Sequence, residues 1–164
     1  WRRLTRRWPR LMAGDFKETA AVVRRGAAWK LRIVAADPRE TRGLRETLNF
    51  GHTLGHALET AAGHGRLRHG EAVIWGMRAA LRLSVVAAGL SAACADEAEA
   101  FLESLPLPSL RGVSQRAVFK AARRDKKARA GKVRFVLLRD WGKPIVTDDV
   151  PEGAVKMVIK ELLP

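Results

Sequence analysis

The sequence predicts a mainly α domain carrying one small β-hairpin. Apolar residues recur at three-to-four spacing along most of the chain, the period of a helix with one buried face. Glycine and proline interrupt that pattern at intervals that match helix lengths. Only two short runs, "VRFVLL" at 133–138 and "PIVT" at 144–147, read as strands, and "RDWGK" between them reads as a hairpin turn.

The first well-patterned segment is 15–35, where Phe16, Ala20, Val23, Ala27 and Leu31 fall on one helical face. Asp15 suits an N-cap, and Glu18 three residues later completes a pattern of the capping-box kind. "ADPRETRG" breaks the run with proline, glycine and charge. Residues 44–62 read as a second helix ending at Gly63, "GHGRLRHG" as a glycine-bounded loop, and 71–88 as a very apolar helix closed by Gly89. Further helices are expected at 95–104, stopped by "PLPS", at 114–124, and from Pro151 to Leu163, where proline opens the helix. No internal repeat or low-complexity linker interrupts the chain.

A length of 164 residues fits one domain, 1–164, with a real core. The longest apolar run, "AALRLSVVAAGL", is broken by arginine and falls short of the roughly 20 residues of a membrane span, so no membrane partner is expected. The single cysteine, Cys94, excludes an internal disulfide and a cysteine-based zinc site, and fits a reducing, cytoplasmic compartment. The opening "WRRLTRRWPRLMAGDF" is arginine-rich in the manner of a transit peptide. Its two tryptophans, a break expected at Pro9 and the lack of a cleavage-like motif argue instead for a cut edge of a longer chain. The net charge of +14 admits nucleic acid, an acidic membrane or phosphorylated ligands. With no tyrosine, few phenylalanines and no binding motif, nucleic acid is not the expected partner.

The chemistry concentrates in "LNFGHTLGHALE", residues 48–59. All four histidines of the chain, His52, His56, His64 and His69, lie between positions 52 and 69. His52 and His56 stand one helical turn apart and face the same way, with Glu59 a further turn along. His69 can fold back against them across the glycine loop. Neutral imidazoles and a carboxylate, with one coordination position open, make a catalytic zinc site; packing or capping histidines are the alternative. Gly51 and Gly55 cost about 1 kcal/mol each within a helix; small residues there let another backbone or a ligand approach closely, and tight helix packing is the plain alternative that accounts for both.

The stretch "GLRETLNFGHTLGHALETAAGHGRLRHGEAVIWGM", 43–77, closely resembles the signature of the 3-dehydroquinate synthases, which belong to the sugar phosphate cyclases. The resemblance extends upstream through Lys30 and "IVAADPRETRGLR" and downstream through "RRDKKARAGKVRFVLL". It implies the helical C-terminal domain of that fold, in which a glutamate and two histidines bind zinc or another divalent metal such as cobalt. The histidines match His52 and His69. His56 matches a histidine that contacts substrate, and Lys30, Arg45, Asn49 and one of Lys126 and Lys127 match residues of the substrate pocket. Glu59 becomes a structural residue or one behind the ligands, and His64 a solvated loop residue. The family's substrate is a phosphorylated seven-carbon sugar acid. Bound NAD takes a hydride transiently, phosphate leaves, the hydride returns, and the opened ring closes by an aldol step.

The chain departs from that family in what it lacks. It has no glycine-rich phosphate loop following a strand, so the N-terminal NAD-binding domain is absent from these residues. The segment with the zinc-binding glutamate and a nearby lysine is expected just upstream of Trp1. "ETRGLR" is one residue longer than the family spacing before the arginine. The expectation is therefore a C-terminal domain that is inactive alone and completed by its N-terminal partner in cis or in trans, with a homodimer as the full-length state. The rival readings are another cyclase, of the valiolone or deoxy-inosose synthase type, a non-catalytic assembly module, and a basic nucleic-acid binder.

Overall fold

A computed structural model describes residues 1–128 and 133–163, with the side chains of 125–128 outside the described set. Its order is α1 (Arg2–Met12), α2 (Phe16–Ala36), a 3-10 turn (Arg45–Asn49), α3 (His52–Ala62), α4 (His69–Ala88), α5 (Ala92–Glu103), α6 (Gln115–Ala128), β1 (Phe135–Asp140), β2 (Lys143–Thr147) and α7 (Glu152–Leu162). A mainly helical chain with one hairpin is what the periodicity predicts. None of the described helices is long and apolar enough to cross a membrane. The residues form two compact units, Trp1–Leu48 and Asn49–Pro164.

In the first unit, Asp15 caps α2 as expected, accepting from the amides of Lys17 (2.9 Å) and Glu18 (3.1 Å). The capping box does not close. The Asp15 amide donates to the Arg10 carbonyl instead, which leaves the Glu18 carboxylate to pair with Arg7 and Arg10 of α1. Pro9 lies inside α1 rather than ending it. An interior proline removes one rung of the helical ladder, and the surrounding turns still propagate here. Neither α1 nor α2 buries a residue; Phe16, Trp29 and Leu31 are all largely exposed.

The second unit holds the core, built by Leu54 and Leu58 of α3, Leu83 of α4, Val118 of α6, Leu137 of β1 and Val158 of α7. The hairpin pairs Phe135 with Thr147 and Leu137 with Ile145, and turns through Gly142 at φ 70°. Buried Ser84 fastens strand to helix: its hydroxyl donates to the Ala80 carbonyl (2.6 Å) and accepts from the Leu138 amide (2.9 Å). Arg78, also buried, stacks on Trp75 and reaches Glu99 (3.1 Å) and Glu103 of α5.

One element differs in a way that matters for function. The helix expected over 44–62 is two pieces, a 3-10 turn and α3, divided at Gly51, whose φ of 82° is left-handed. Packing explains the division. A Cβ on Gly51 would lie 2.6 Å from the Met77 amide nitrogen, and one on Gly55 would lie 3.0 Å from the Ala72 carbonyl oxygen. From the other side, a Cβ on Gly76 would sit 1.9 Å from the Gly51 carbonyl oxygen. What approaches the two glycines is the backbone of α4, so helix packing accounts for both.

Candidate metal and substrate site

The α3–α4 contact brings three of the four histidines together. His52 is the first residue of α3, His56 follows one turn later, and His69 is the first residue of α4. Their ring centroids form a nearly equilateral triangle: 5.5 Å from His52 to His56, 5.5 Å from His52 to His69, and 5.4 Å from His56 to His69. The fold-back of His69 expected from the sequence is therefore present. His64 stays in the exposed loop, as its solvated reading requires.

Two of the rings are tied at the same atom. His52 Nδ1 lies 3.3 Å from the Phe50 carbonyl oxygen, and His69 Nδ1 lies 3.2 Å from Glu59 Oε2. A carbonyl and an ionised carboxylate can only accept, so Nδ1 must carry the proton in both contacts. That tautomer leaves the Nε2 lone pair of each ring for a metal or a substrate proton. Among the described residues, no three His, Cys, Asp or Glu side chains are arranged to hold a metal ion by themselves. The histidines present supply two or three imidazole nitrogens as donors.

The other candidate residues fall in different places. Asn49 is exposed at the end of the 3-10 turn, three residues before His52. Lys30 and Arg45 belong to the first unit. Lys30 is exposed on α2, and Arg45 opens the 3-10 turn with Nη1 3.5 Å from the Pro38 carbonyl oxygen and 3.9 Å from Glu40. Lys126 and Lys127 lie on the α6 backbone, and their side chains are outside the described residues.

Sequence reasoning missed Asp37, read there only as part of a break. It is buried, and it organises the loop that leads to Arg45. Oδ1 accepts from the amides of Thr41 (2.9 Å) and Arg42 (3.1 Å), and Oδ2 from that of Leu44 (3.1 Å). Burial pushes the carboxyl pKa up, but donation from the amides of Arg42, Leu44, Thr41 and Arg45 outweighs it and holds the group below its ordinary value. Within the same loop Glu40 takes a φ of 57°, uncommon for a residue with a Cβ. The available signal was local: an aspartate followed by a polar turn sequence often binds the amides ahead of it.

The family model described as 3-dehydroquinate synthase C-terminal matches residues 1–128. A 3-dehydroquinate synthase from a Synechococcus strain is 39% identical over 143 residues, which is 86% of this chain and 39% of that protein. The one from Opitutus terrae is 43% identical over 149 residues, covering 88% and 41%. Among solved structures, 2-deoxy-scyllo-inosose synthase complexed with carbaglucose-6-phosphate, NAD+ and Co2+ superposes with a TM-score of 0.60 at 26% identity, over 76% of this chain and 35% of that one. A 2-epi-5-epi-valiolone synthase from Streptomyces hygroscopicus, solved with NAD+ and Zn2+ bound, has the same fold, with a TM-score of 0.71 at 22% identity over 90% and 41%. The chain spans about two fifths of the length of the relatives it matches. With most of its residues covered by the C-terminal family model, the chain belongs to the 3-dehydroquinate synthase family.

Proposed function

We propose that the chain is the metal- and substrate-binding part of a 3-dehydroquinate synthase, the enzyme that converts 3-deoxy-arabino-heptulosonate 7-phosphate to 3-dehydroquinate and phosphate. The observation that carries this is the histidine triangle, with two rings held in the tautomer a metal ligand needs. Two imidazoles on one tetrahedral zinc, with Zn–N about 2.0–2.1 Å, have centroids roughly 5 Å apart. The His52–His69 separation of 5.5 Å suits that arrangement. The donor set fits a divalent cation once a further ligand is added, here a glutamate from the segment preceding these residues in the family.

In this reading His52 and His69 would hold zinc or cobalt, which when bound would supply Lewis-acid polarisation of a substrate oxygen. NAD, which the N-terminal domain would hold in cis or in trans, would supply a reversible hydride acceptor. The chain's own residues bind and orient. Arg45, Lys30, Asn49 and one of Lys126 and Lys127 donate to the carboxylate and phosphate of the substrate, for which guanidinium and ammonium groups are suited. His56, on the same face as His52, holds or releases a proton at a ring nitrogen. Most of the acceleration then comes from positioning and from fixed charge around the anionic substrate. Full-length protein is proposed to act as a homodimer.

A second cyclase reaction is the competing reading, because the solved neighbours are named as synthases of 2-deoxy-scyllo-inosose and 2-epi-5-epi-valiolone. Identity favours the first: 39–43% to the 3-dehydroquinate synthases against 22–26% to the two neighbours. The test is phosphate release from 3-deoxy-arabino-heptulosonate 7-phosphate, with zinc and NAD present. The 164 residues alone should release none, and addition of a relative's N-terminal domain, fused or separate, should restore release. Release only from a different phosphorylated sugar would assign the chain to another cyclase. Turnover by the isolated chain would refute the division of labour.

A further inference from the structure

We infer that Glu59 is a positioning residue for the metal site. Its carboxylate holds His69 by Nδ1–H, so that Nε2 is the nitrogen presented to a divalent cation. The inference rests on the metal reading above and adds to it a residue that does not itself ligate.

The geometry sets out why His69 needs such a partner and why Glu59 is the one that serves. His69 begins α4 with its side chain 56% exposed, so solvent borders much of the ring. A surface imidazole without a tether samples both tautomers and several rotamers, and a metal must then select one of them. Glu59 projects from α3 and reaches Nδ1 at 3.2 Å. A second carboxylate, of the element that His69 begins, is committed elsewhere. Glu71, two residues along the same helix, accepts from the Arg68 amide at 2.7 Å and completes the N-terminal cap.

The comparison with His52 is instructive. Its Nδ1 is tied to a main-chain carbonyl two residues earlier, a contact fixed by the Gly51 turn. His69 has no equivalent backbone acceptor in its own element and takes a side chain from the neighbouring helix. The α3–α4 spacing that places the two within reach is set by the glycine contacts, and Glu59 itself is 39% exposed. Its removal should therefore free the ring without loosening the core. Metal sites commonly show this arrangement, and loss of the outer partner costs about 10–100-fold in metal affinity.

The test uses the 164-residue chain and two readouts. Zinc affinity is measured by competition with a chromophoric chelator, and the ring tautomers of the metal-free protein by nitrogen-15 long-range correlation spectra. Glu59→Ala should weaken zinc binding about 10–100-fold and shift His69 from the Nδ1–H form toward a mixture. Glu59→Gln, which keeps an acceptor oxygen, should fall between Ala and the parent. Urea midpoints should stay unchanged, and if Ala loosens the fold, Gln alone decides. Parent-like zinc affinity and an unchanged His69 tautomer in Glu59→Ala would overturn the inference. The metal reading fails separately if His69→Ala binds zinc as well as the parent. The tautomer then judges Glu59: a shift upholds the tether, and none overturns it.

Discussion

Gly76→Ala isolates the feature on which the histidine geometry depends. The added Cβ would lie 1.9 Å from the Gly51 carbonyl oxygen, 2.5 Å from the Gly55 nitrogen and 2.9 Å from the Gly55 Cα. All three neighbours are main-chain atoms, so no side chain can rotate away. The closest falls about 1.5 Å short of ordinary contact. The helices must separate or α3 must tilt. Alanine gains about 1 kcal/mol over glycine within a helix, while overpacking costs typically 1–3 kcal/mol and more where backbone must move. A net loss of about 2 kcal/mol corresponds to a fall of roughly 4–8 °C in Tm for a chain of this size.

The site supplies a second, independent reading of the same substitution. His52 rides on α3 and His69 on α4, so a displacement of even 1 Å between the helices changes how the two Nε2 atoms converge. Zinc affinity should fall along with stability. Gly153→Ala is the control: it also lies in a helix, nothing stands within 4 Å of its added Cβ, and it should be neutral or slightly stabilising. Thermal and urea denaturation of both variants, with zinc competition, settles the matter. A Gly76→Ala protein as stable as the parent, with parent-like zinc affinity, would refute the argument that close backbone packing sets the triangle.

Three further outcomes are expected. Asp37→Asn should speed hydrogen exchange at the amides of Thr41, Arg42 and Leu44; because the folded pKa of Asp37 is depressed, its contribution is full above the unfolded value of about 3.9 and lost as pH falls through the lower folded value, so an acid titration of loop exchange should show the wild-type loop loosening only there. Ser84→Ala should cost about 1–3 kcal/mol in urea denaturation, since the Leu138 amide loses its buried acceptor, whereas Ser91→Ala, at an exposed helix cap, should cost about 1 kcal/mol. In the assembled enzyme, Arg45→Ala should lower kcat/KM for phosphate release at least 10-fold, with Arg45→Lys recovering only part, because an ammonium cannot make the two parallel bonds of a guanidinium.

What the sequence revealed, and what it hid, divides along physical lines. Helices α4 to α7 and the hairpin were legible because each buries one face, and burial writes a period into the residues. Leu44 to Ala62 misled because its apolar period runs straight through Gly51; the break comes from α4, distant in sequence, pressing on that position. Glu18 misled in the opposite direction: its spacing from Asp15 suits a capping box, and two arginines of the preceding helix outbid the local amide. The cluster of histidines was visible as a cluster, but not which ring nitrogens would be tied. Asp37 was hidden because a carboxylate that gathers amides from residues four to seven positions ahead has no periodic signature.

The arrangement of the site follows from where each restraint originates. Spacing along one helix can put His52 and His56 on a common face, but it cannot bring in His69, which needs a second helix at a fixed distance. Glycine at positions 51, 55 and 76 gives that distance by letting main chain meet main chain, a contact stiffer than any between flexible side chains. Once the distance is fixed, a carbonyl at one ring and a carboxylate at the other suffice to choose the tautomers. The glycines therefore shape the proposed site as much as the imidazoles do. A substitution that preserves every histidine and breaks one glycine contact should disable the site more thoroughly than loss of the Glu59 tether, because it moves both Nε2 atoms at once rather than freeing a single ring.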